Sequence, residues 1–197
     1  MTFLDDVLAV KEREVAALRM TPPPIVAGFG PSLVEALSRP GLSVIAEIKR
    51  RSPSKGLLAP GLDAEKMAVA YAEGGAAAIS CLTDREFFGA QADDLFLARR
   101  ARLPALRKDF LIDELQVDES AVLGASAVLL IVSILDQAKL EFLLSCAARR
   151  GLEALVEVHD EAEVDRALRA GALIIGRRYG WNGTWHWYLR RKFRKRL

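Results

Sequence analysis

Residues 127–132 read Ala-Val-Leu-Leu-Ile-Val, a continuous apolar run of a length typical of a β-strand. A strand with one face in water alternates polar and apolar side chains, so an unbroken run indicates a strand that is buried on both faces, as in a parallel sheet. Similar short, mainly apolar runs lie at residues 43–48, 77–82, 104–107, 153–158 and 172–176. The sequence therefore predicts about six parallel strands.

Amphipathic stretches with helix start signals lie between these runs. Candidate N-caps precede them at Asp63, Asp113, Asp136 and Asp160. Gln116 and Glu163 stand three residues after two of these caps, as a capping box requires. Glycines then follow the helical patterns, at positions 74, 75, 124, 151 and 171. The pattern is a repeated βα unit, which indicates an α/β fold.

Repeated βα units with right-handed crossovers have two common solutions, an open doubly wound sheet and a closed (β/α)8 TIM barrel. A glycine-rich phosphate fingerprint does not follow the first predicted strand, which weakens the doubly wound alternative. We therefore expect a TIM-type barrel of which this chain holds about six strands. Six strands cannot close an eight-stranded barrel, so the residues after 176 or another chain must cover the open edges.

A helical extension of about 40 residues is predicted ahead of the first strand. Thr2 and Asp5 resemble a capping box, and an apolar stripe follows at helical spacing, made by Leu4, Val7, Leu8, Val15 and Leu18. Ser32 and Glu35 then open a second, shorter helix. The pattern leaves open whether the first helix lies across the mouth of the barrel or its bottom, and whether it is a plug or a lid.

Charged residues collect where the predicted strands end. Glu47 and Lys49 close the first strand, Lys108 the third and Glu157 the fifth. In a barrel these ends meet at one rim, where the active sites of this fold are built. Partial burial lowers the pKa of a lysine and raises that of a glutamate, which suits both for proton transfer near neutral pH. A buried ion-pair network is the alternative, but four such residues at one rim favour catalysis.

Metal and cofactor chemistry have little support in the sequence. The two histidines, His159 and His186, and the two cysteines, Cys81 and Cys146, show none of the spacings of metal ligands. We therefore expect no metal and no cofactor. Each cysteine lies in an apolar run, which is typical of buried thiols in a reducing compartment.

Charge divides the 197 residues into two parts. The 28 Lys and Arg against 26 Asp and Glu give a net charge of +2. Eight of the basic residues, no acidic residue and all three tryptophans fall within residues 177–197, so the preceding residues carry −6. An acidic body thus precedes a basic, aromatic tail. A charge run is usually solvated, so nucleic-acid binding by residues 190–196 is the less favoured interpretation.

The sequence contains no run of about 20 uncharged apolar residues that would suggest a membrane span. Its acidic N-terminus differs from a secretory signal. We therefore expect a cytoplasmic protein that has no membrane partner.

Four ordered blocks resemble the indole-3-glycerol phosphate synthase family of tryptophan biosynthesis. IAEIKR at residues 45–50, followed by SPSKG at 52–56, is similar to the first-strand signature of that family. SCLTD at 80–84, LRKDF at 106–110 and LVEVH at 155–159 agree with it in order and spacing. The resemblance spans residues 1–176 and implies a TIM barrel with an N-terminal helical extension.

The resemblance implies a carboxy-lyase without a cofactor. Its substrate is a phosphorylated small molecule, 1-(2-carboxyphenylamino)-1-deoxyribulose 5-phosphate, which closes a ring and loses carbon dioxide and water to give indole-3-glycerol phosphate. By motif, Lys108 is the general acid, Lys49 binds the substrate carboxylate, Glu157 assists proton transfer and Glu47 orients the lysines. The resemblance further implies a substrate-binding set of Ser52 and Pro53 in the loop after the first strand, with Phe87, Phe110 and Leu130 or a neighbour walling the aromatic ring.

The resemblance stops after Gly176. The family continues with an Asn-Asn-Arg segment and two more strands, whereas Arg177 and Arg178 stand here. We therefore expect an incomplete barrel domain at residues 1–176 and a tail outside the family at 177–197, consistent with a C-terminal truncation or a frameshift. The alternatives are a catalytically inactive barrel fragment or binding module, and a tail that binds nucleic acid. Unpaired strand edges also suggest self-association.

Overall fold

A computed structural model of the chain describes residues 2–28, 30–179 and 184–189. The described helices are α1 (Phe3–Met20), α2 (Leu33–Ser38), α3 (Ala64–Glu73), α4 (Asp94–Ala98), α5 (Glu114–Val122), α6 (Gln137–Arg149) and α7 (Glu161–Arg169). The described strands are β1 (Ile45–Ile48), β2 (Arg51–Ser52), β3 (Gly56–Leu57), β4 (Ala78–Leu82), β5 (Ala105–Lys108), β6 (Ala127–Ile131), β7 (Glu153–Val158), β8 (Ile174–Tyr179) and β9 (Thr184–Leu189).

Six of these strands form the curved parallel sheet that the sequence predicts. Their order is β1, β4, β5, β6, β7 and β8, and every neighbouring pair is parallel. Helices connect successive strands, so the chain has the α/β architecture of a partial TIM barrel. The prediction of a (β/α) barrel with about six strands and an N-terminal helical extension is confirmed.

The sheet separates two apolar clusters. The inner, concave cluster joins alternate residues of the strands, such as Leu106, Leu129 and Leu155, to Leu33 and Leu37 of α2. The intervening strand residues pack with the helices in a larger outer cluster. Side chains alternate between the two faces of a strand, so inner and outer positions follow from the register.

Helix α2 covers the amino-terminal end of the half-barrel. The hydroxyl of Ser32 donates to Oε1 of Glu153 at 2.6 Å, and the amide of Val34 donates to Oε2 at 2.8 Å. Glu153 begins β7, so these bonds fix α2 below the inner cluster. The carboxyl ends of the strands lie at the opposite end.

The predicted helix caps form, with one difference. Asp63, Asp113, Asp136 and Asp160 all accept a backbone amide with the side chain, and the capping boxes of α1 and α5 are complete. In α7 the carboxylate of Glu163 instead accepts the amide of His159, at 2.7 Å. Glu163 therefore ties the helix to the end of β7.

Strand β9 is the largest element that the sequence analysis did not predict. It pairs antiparallel with β8, from Ile174 opposite Leu189 to Tyr179 opposite Thr184. It thereby covers the β8 edge, while within the described part of the chain β1 has a sheet neighbour on one side only. Residues 190–196, to which the nucleic-acid alternative refers, lie outside the described residues.

None of the helices within the described ranges is long and apolar enough to cross a membrane.

Candidate active site

The carboxyl end of β1 carries an ion pair. The ammonium of Lys49 contacts Oε1 of Glu47, and each side chain is about one third exposed, at 32% and 29%. The two residues are two positions apart, so the strand directs both to the same face, which Ile45 places toward the inner cluster. The hydroxyl of Tyr71 on α3 donates to the carbonyl of Glu47 at 3.1 Å and fixes the strand end. The structure therefore confirms that these opposite charges share one rim.

Lys108 and Glu157 lie at the carboxyl ends of two other strands, on the same face as Glu47 and Lys49. Lys108 follows the inner residue Leu106 by two positions, and Glu157 follows Leu155 in the same way. Lys108 is partly exposed, whereas Glu157 is buried at 5% exposure. The ring of His159 approaches Glu157, with Nε2 at 3.5 Å from Oε1. Lys108 and Glu157, each able to act as an acid or a base, therefore lie at the open end of the half-barrel.

Ser52 and Pro53 lie in a short hairpin, whereas the sequence predicts a loop here. Strands β2 and β3 pair antiparallel, with Ser52 opposite Gly56. Gly56 has φ of +67°, a left-handed conformation that side chains disfavour. The amide of Arg51 donates to the carbonyl of Phe88 at 3.2 Å, so the hairpin stands beside the loop after β4. Ser52 and Pro53 thus border the same end of the sheet.

Two aromatic pairs lie near this end. The rings of Phe87 and Phe3 meet edge to face with centroids 5.3 Å apart, and those of Phe88 and Phe110 are 6.3 Å apart. Phe110 packs against the inner cluster, whereas Phe87 is held against the first turn of α1. Phe88, which the sequence analysis did not assign to the site, is therefore the partner of the predicted ring wall Phe110.

Leu130 is not brought to the inner face. It is fully buried in the outer cluster, between the sheet and the helices. Its neighbours Leu129 and Ile131 point inward, and Ile131 stands opposite Glu157 in the β6–β7 register. Leu130 itself therefore cannot line the inner face as expected. Its neighbour Ile131 occupies the inner position beside Glu157.

A buried network of charged side chains lies on the outer face of the sheet, next to the rim. Arg107 is buried at 4% exposure and donates to the Ser120 hydroxyl at 3.1 Å, to Asp109 at 3.2 Å and to Glu119 at 2.7 Å. Asp109 also accepts the Thr83 hydroxyl at 2.6 Å. The residue types alone gave no signal for this network, because its members come from a strand, a helix and a loop.

Electrostatics keep Asp109 ionised although it is buried. Burial alone would raise its pKa, but the positive charges of Arg107 and Lys11 outweigh that effect and lower the pKa to about 2. Asp109 directly follows Lys108, so a carboxylate that is ionised at neutral pH lies next to the candidate acid.

A second ion pair fixes the loop after β1. The guanidinium of Arg50 bonds both carboxylate oxygens of Asp94, and Nη1 donates to the carbonyl of Leu62 at 2.6 Å. The bonds to Asp94 raise the pKa of Arg50. Because Asp94 begins α4, the chain that leaves Lys49 is tied to the following βα unit.

In the described ranges, no group of three or more His, Cys, Asp or Glu side chains could hold a metal ion. A cavity of about 620 Å³ lies at the other end of the strands, where Arg99, Arg100 and Arg102 line it with Phe96. The charged rim is therefore spatially distinct from this cavity.

The half-barrel and the acidic and basic groups at the carboxyl ends of its strands define a (β/α)-barrel protein equipped for acid–base chemistry. The model of the family described as indole-3-glycerol phosphate synthase matches residues 5–178. The chain belongs to this family.

Curated relatives agree with the family match. An indole-3-glycerol phosphate synthase of Chlorobium chlorochromatii is 45% identical over 188 residues, which cover 89% of this chain and 73% of the relative. That of Mycolicibacterium smegmatis is 48% identical, covering 85% and 58%. Indole-3-glycerol phosphate synthase 2 of Streptomyces coelicolor is 55% identical, covering 72% and 55%.

Proposed function

We propose that this chain carries out the reaction for which its family is named, forming indole-3-glycerol phosphate from 1-(2-carboxyphenylamino)-1-deoxyribulose 5-phosphate. The ring carbon that bears the carboxylate bonds to the ketone carbon, and the ketone oxygen takes up a proton. The carboxylate then leaves as carbon dioxide. The new hydroxyl takes up a proton and leaves as water, and the neighbouring methylene carbon loses a proton to form the indole double bond. The chain would thus be a decarboxylating carbon–carbon lyase.

The observation that carries the proposal is the shared position of Glu47, Lys49, Lys108 and Glu157. All four occupy inner positions at the carboxyl ends of β1, β5 and β7. This reaction needs a group that protonates oxygen, a cation for the carboxylate and a base that removes a proton from the methylene carbon during loss of water. Two lysines and two glutamates supply this set.

Lys108 is assigned as the general acid at the ketone oxygen and later at the hydroxyl. A positioned acid contributes roughly 10² to 10⁴ in rate. Lys49 is assigned to the substrate carboxylate, and Glu47 keeps its ammonium in place through their contact. The substrate carboxylate would reach Lys49 from the open end of the half-barrel.

Glu157 is assigned to proton transfer and to stabilisation of the cationic intermediate. Its buried carboxylate and the nearby ring of His159 support this role. The aromatic ring of the substrate is proposed to lie against Phe110, with Phe87 and Ile131 nearby and with Ser52 and Pro53 at the border. An apolar slot of this kind holds the reacting carbons close together, which lowers the entropic barrier to ring closure.

We also propose that residues 1–176 are the synthase domain and that residues 177–197 are a tail outside the family pattern, of which β9 joins the same sheet. We further propose that no cofactor is used and that the chain works in the cytoplasm. Two free, buried cysteines support a reducing compartment.

The test is product formation by the purified full chain, followed through the absorbance of the indole ring. The expected result is turnover that falls at least about 10²-fold in Lys108→Ala. Lys66→Ala is the matched control, because the Lys66 side chain is 86% exposed and lies outside the rim. A folded chain without turnover would favour the inactive fragment.

A further inference from the structure

Lys11 is a fully buried cation in the middle of α1. Its ammonium lies 2.8 Å from Oδ2 of Asp84 and 2.8 Å from Oδ1 of Asp109, and it donates to Glu14 at 2.9 Å. An ammonium has three donors, and here three carboxylates surround it. Buried charges persist when they are paired in this way, so the position of the Lys11 side chain is fixed.

Asp109 connects Lys11 to the candidate acid. It directly follows Lys108, and its Oδ1 also accepts the amide of Phe110 at 2.9 Å. Its Oδ2 accepts the hydroxyl of Thr83. Both carboxylate oxygens of Asp109 are thus bonded. Because one of them contacts Lys11, the backbone of residues 108–110 is fixed relative to α1.

Asp84 connects Lys11 to the loop after β4 in the same way. Its side chain is fully buried, and Oδ1 accepts the amides of Phe87 and Phe88 at 2.7 and 3.2 Å. Phe3 in the first turn of α1 also packs on Phe87. The Lys11 side chain of α1 therefore joins two loops that carry rim aromatics, and one of these loops directly follows Lys108.

The charge of Lys11 is retained despite its burial. Burial alone would lower its pKa, but Asp109 and Asp84 outweigh this effect and raise the pKa above the ordinary value. The Lys11 side chain therefore remains an ammonium at neutral pH, paired with its carboxylates.

We propose that Lys11 is a positioning residue that sets the direction of Lys108 and the place of Phe110 by anchoring Asp109, while Asp84 anchors the neighbouring aromatic loop. Lys11 itself lies behind the rim and does not touch substrate. The significance of this arrangement for catalysis rests on the proposed function.

Two variants test the proposal. Lys11→Met removes the ammonium but leaves buried carboxylates with less compensation, which is strongly destabilising. The double variant Lys11→Met/Asp84→Asn removes one charge of each sign, and the amide oxygen at position 84 still accepts the two Phe amides. Arg19→Met is the matched control, because Arg19 joins α1 to Asp113 through a side chain that is 65% exposed.

The first readouts do not require turnover. In the folded double variant, hydrogen exchange at the Phe110 amide is expected to accelerate about tenfold or more. The rate at which acetic anhydride labels Lys108 is expected to change about threefold or more, because its surroundings change. Labelling of the exposed Lys66 in the same sample provides the internal reference. Arg19→Met should leave both values as in the parent chain.

Unchanged Phe110 exchange and unchanged Lys108 labelling in the folded double variant would overturn the proposal. Kinetics supply an additional criterion: a positioning role lowers kcat about tenfold with KM changed less than about twofold, whereas a purely structural role leaves kcat intact in the folded fraction. If the parent chain has no turnover, the proposed function fails, and the exchange and labelling data still decide the role of Lys11.

Discussion

Lys49 and Glu47 form an ion pair on one face of β1, at the open end of the half-barrel. In the proposed reaction, the substrate carboxylate binds the Lys49 ammonium in place of Glu47 or together with it. Glu47→Gln removes the charge that orients Lys49, and we expect kcat/KM to fall about 10- to 100-fold. Because both side chains are about one third exposed, stability should change by less than about 1 kcal/mol.

Steady-state kinetics and urea unfolding of Glu47→Gln measure these two effects separately. An unchanged kcat/KM would show that Glu47 does not orient the lysine. A loss of activity that parallels a loss of folded protein would assign it a structural role.

The Arg50–Asp94 pair is expected to be a stability determinant. Asp94 is buried at 2% exposure, so Arg50→Met leaves a buried carboxylate with less compensation. The free energy of unfolding should fall by about 3–5 kcal/mol in chemical denaturation. Lys66→Met is the control: it breaks an exposed pair with Asp63 and should cost less than about 1 kcal/mol. Equal effects of the two substitutions would contradict this account.

Acid stability should depend on Asp109. Its pKa is about 2 in the folded chain and about 3.8 as the ordinary value, so ionisation stabilises the fold above pH 4. This contribution, about 2 kcal/mol, disappears as the pH falls through 2. The difference in unfolding free energy between the parent and Asp109→Asn should therefore narrow from pH 5 to pH 2. A constant difference over that range would contradict the lowered pKa.

Covering of the β8 edge by β9 should limit self-association. Deletion of residues 184–197 exposes the hydrogen-bonding groups of β8, and unpaired edges promote association between chains. Sedimentation velocity should show larger species that increase with concentration. A chain that lacks only residues 191–197 keeps β9 and is the control. Identical sedimentation of the two deletions would contradict a protective role of β9.

Local signals predicted much of the fold. The Asp113 cap and Gln116 of α5, for example, depend on residues three positions apart, and the structure contains the complete capping box. The glycines at 75, 124, 151 and 171 have positive φ values, as expected for residues that end helices. Strand positions were predicted equally well, because apolar runs between polar segments mark buried parallel strands.

Other features depend on contacts that no local pattern encodes. In the run at residues 127–132 every side chain is apolar, so no alternation distinguishes the inner Ile131 from the outer Leu130. Lys11 looks like an ordinary polar position of an amphipathic helix, and its burial is caused by Asp84 and Asp109, which come from two distant loops. The pairing of β9 with β8 also depends on tertiary structure. Residues 184–189 can form a strand there because the edge of β8 is open in the folded sheet.

The most direct test of the central claim is to supply the purified full chain with substrate whose carboxyl carbon is labelled, and to count labelled carbon dioxide against indole product. If the rim groups perform ring closure with decarboxylation, the two should appear in equal amounts, and both should vanish in Lys108→Ala. A folded parent chain that releases neither, or a Lys108→Ala chain that releases both at the parent rate, would contradict the proposed role of the rim.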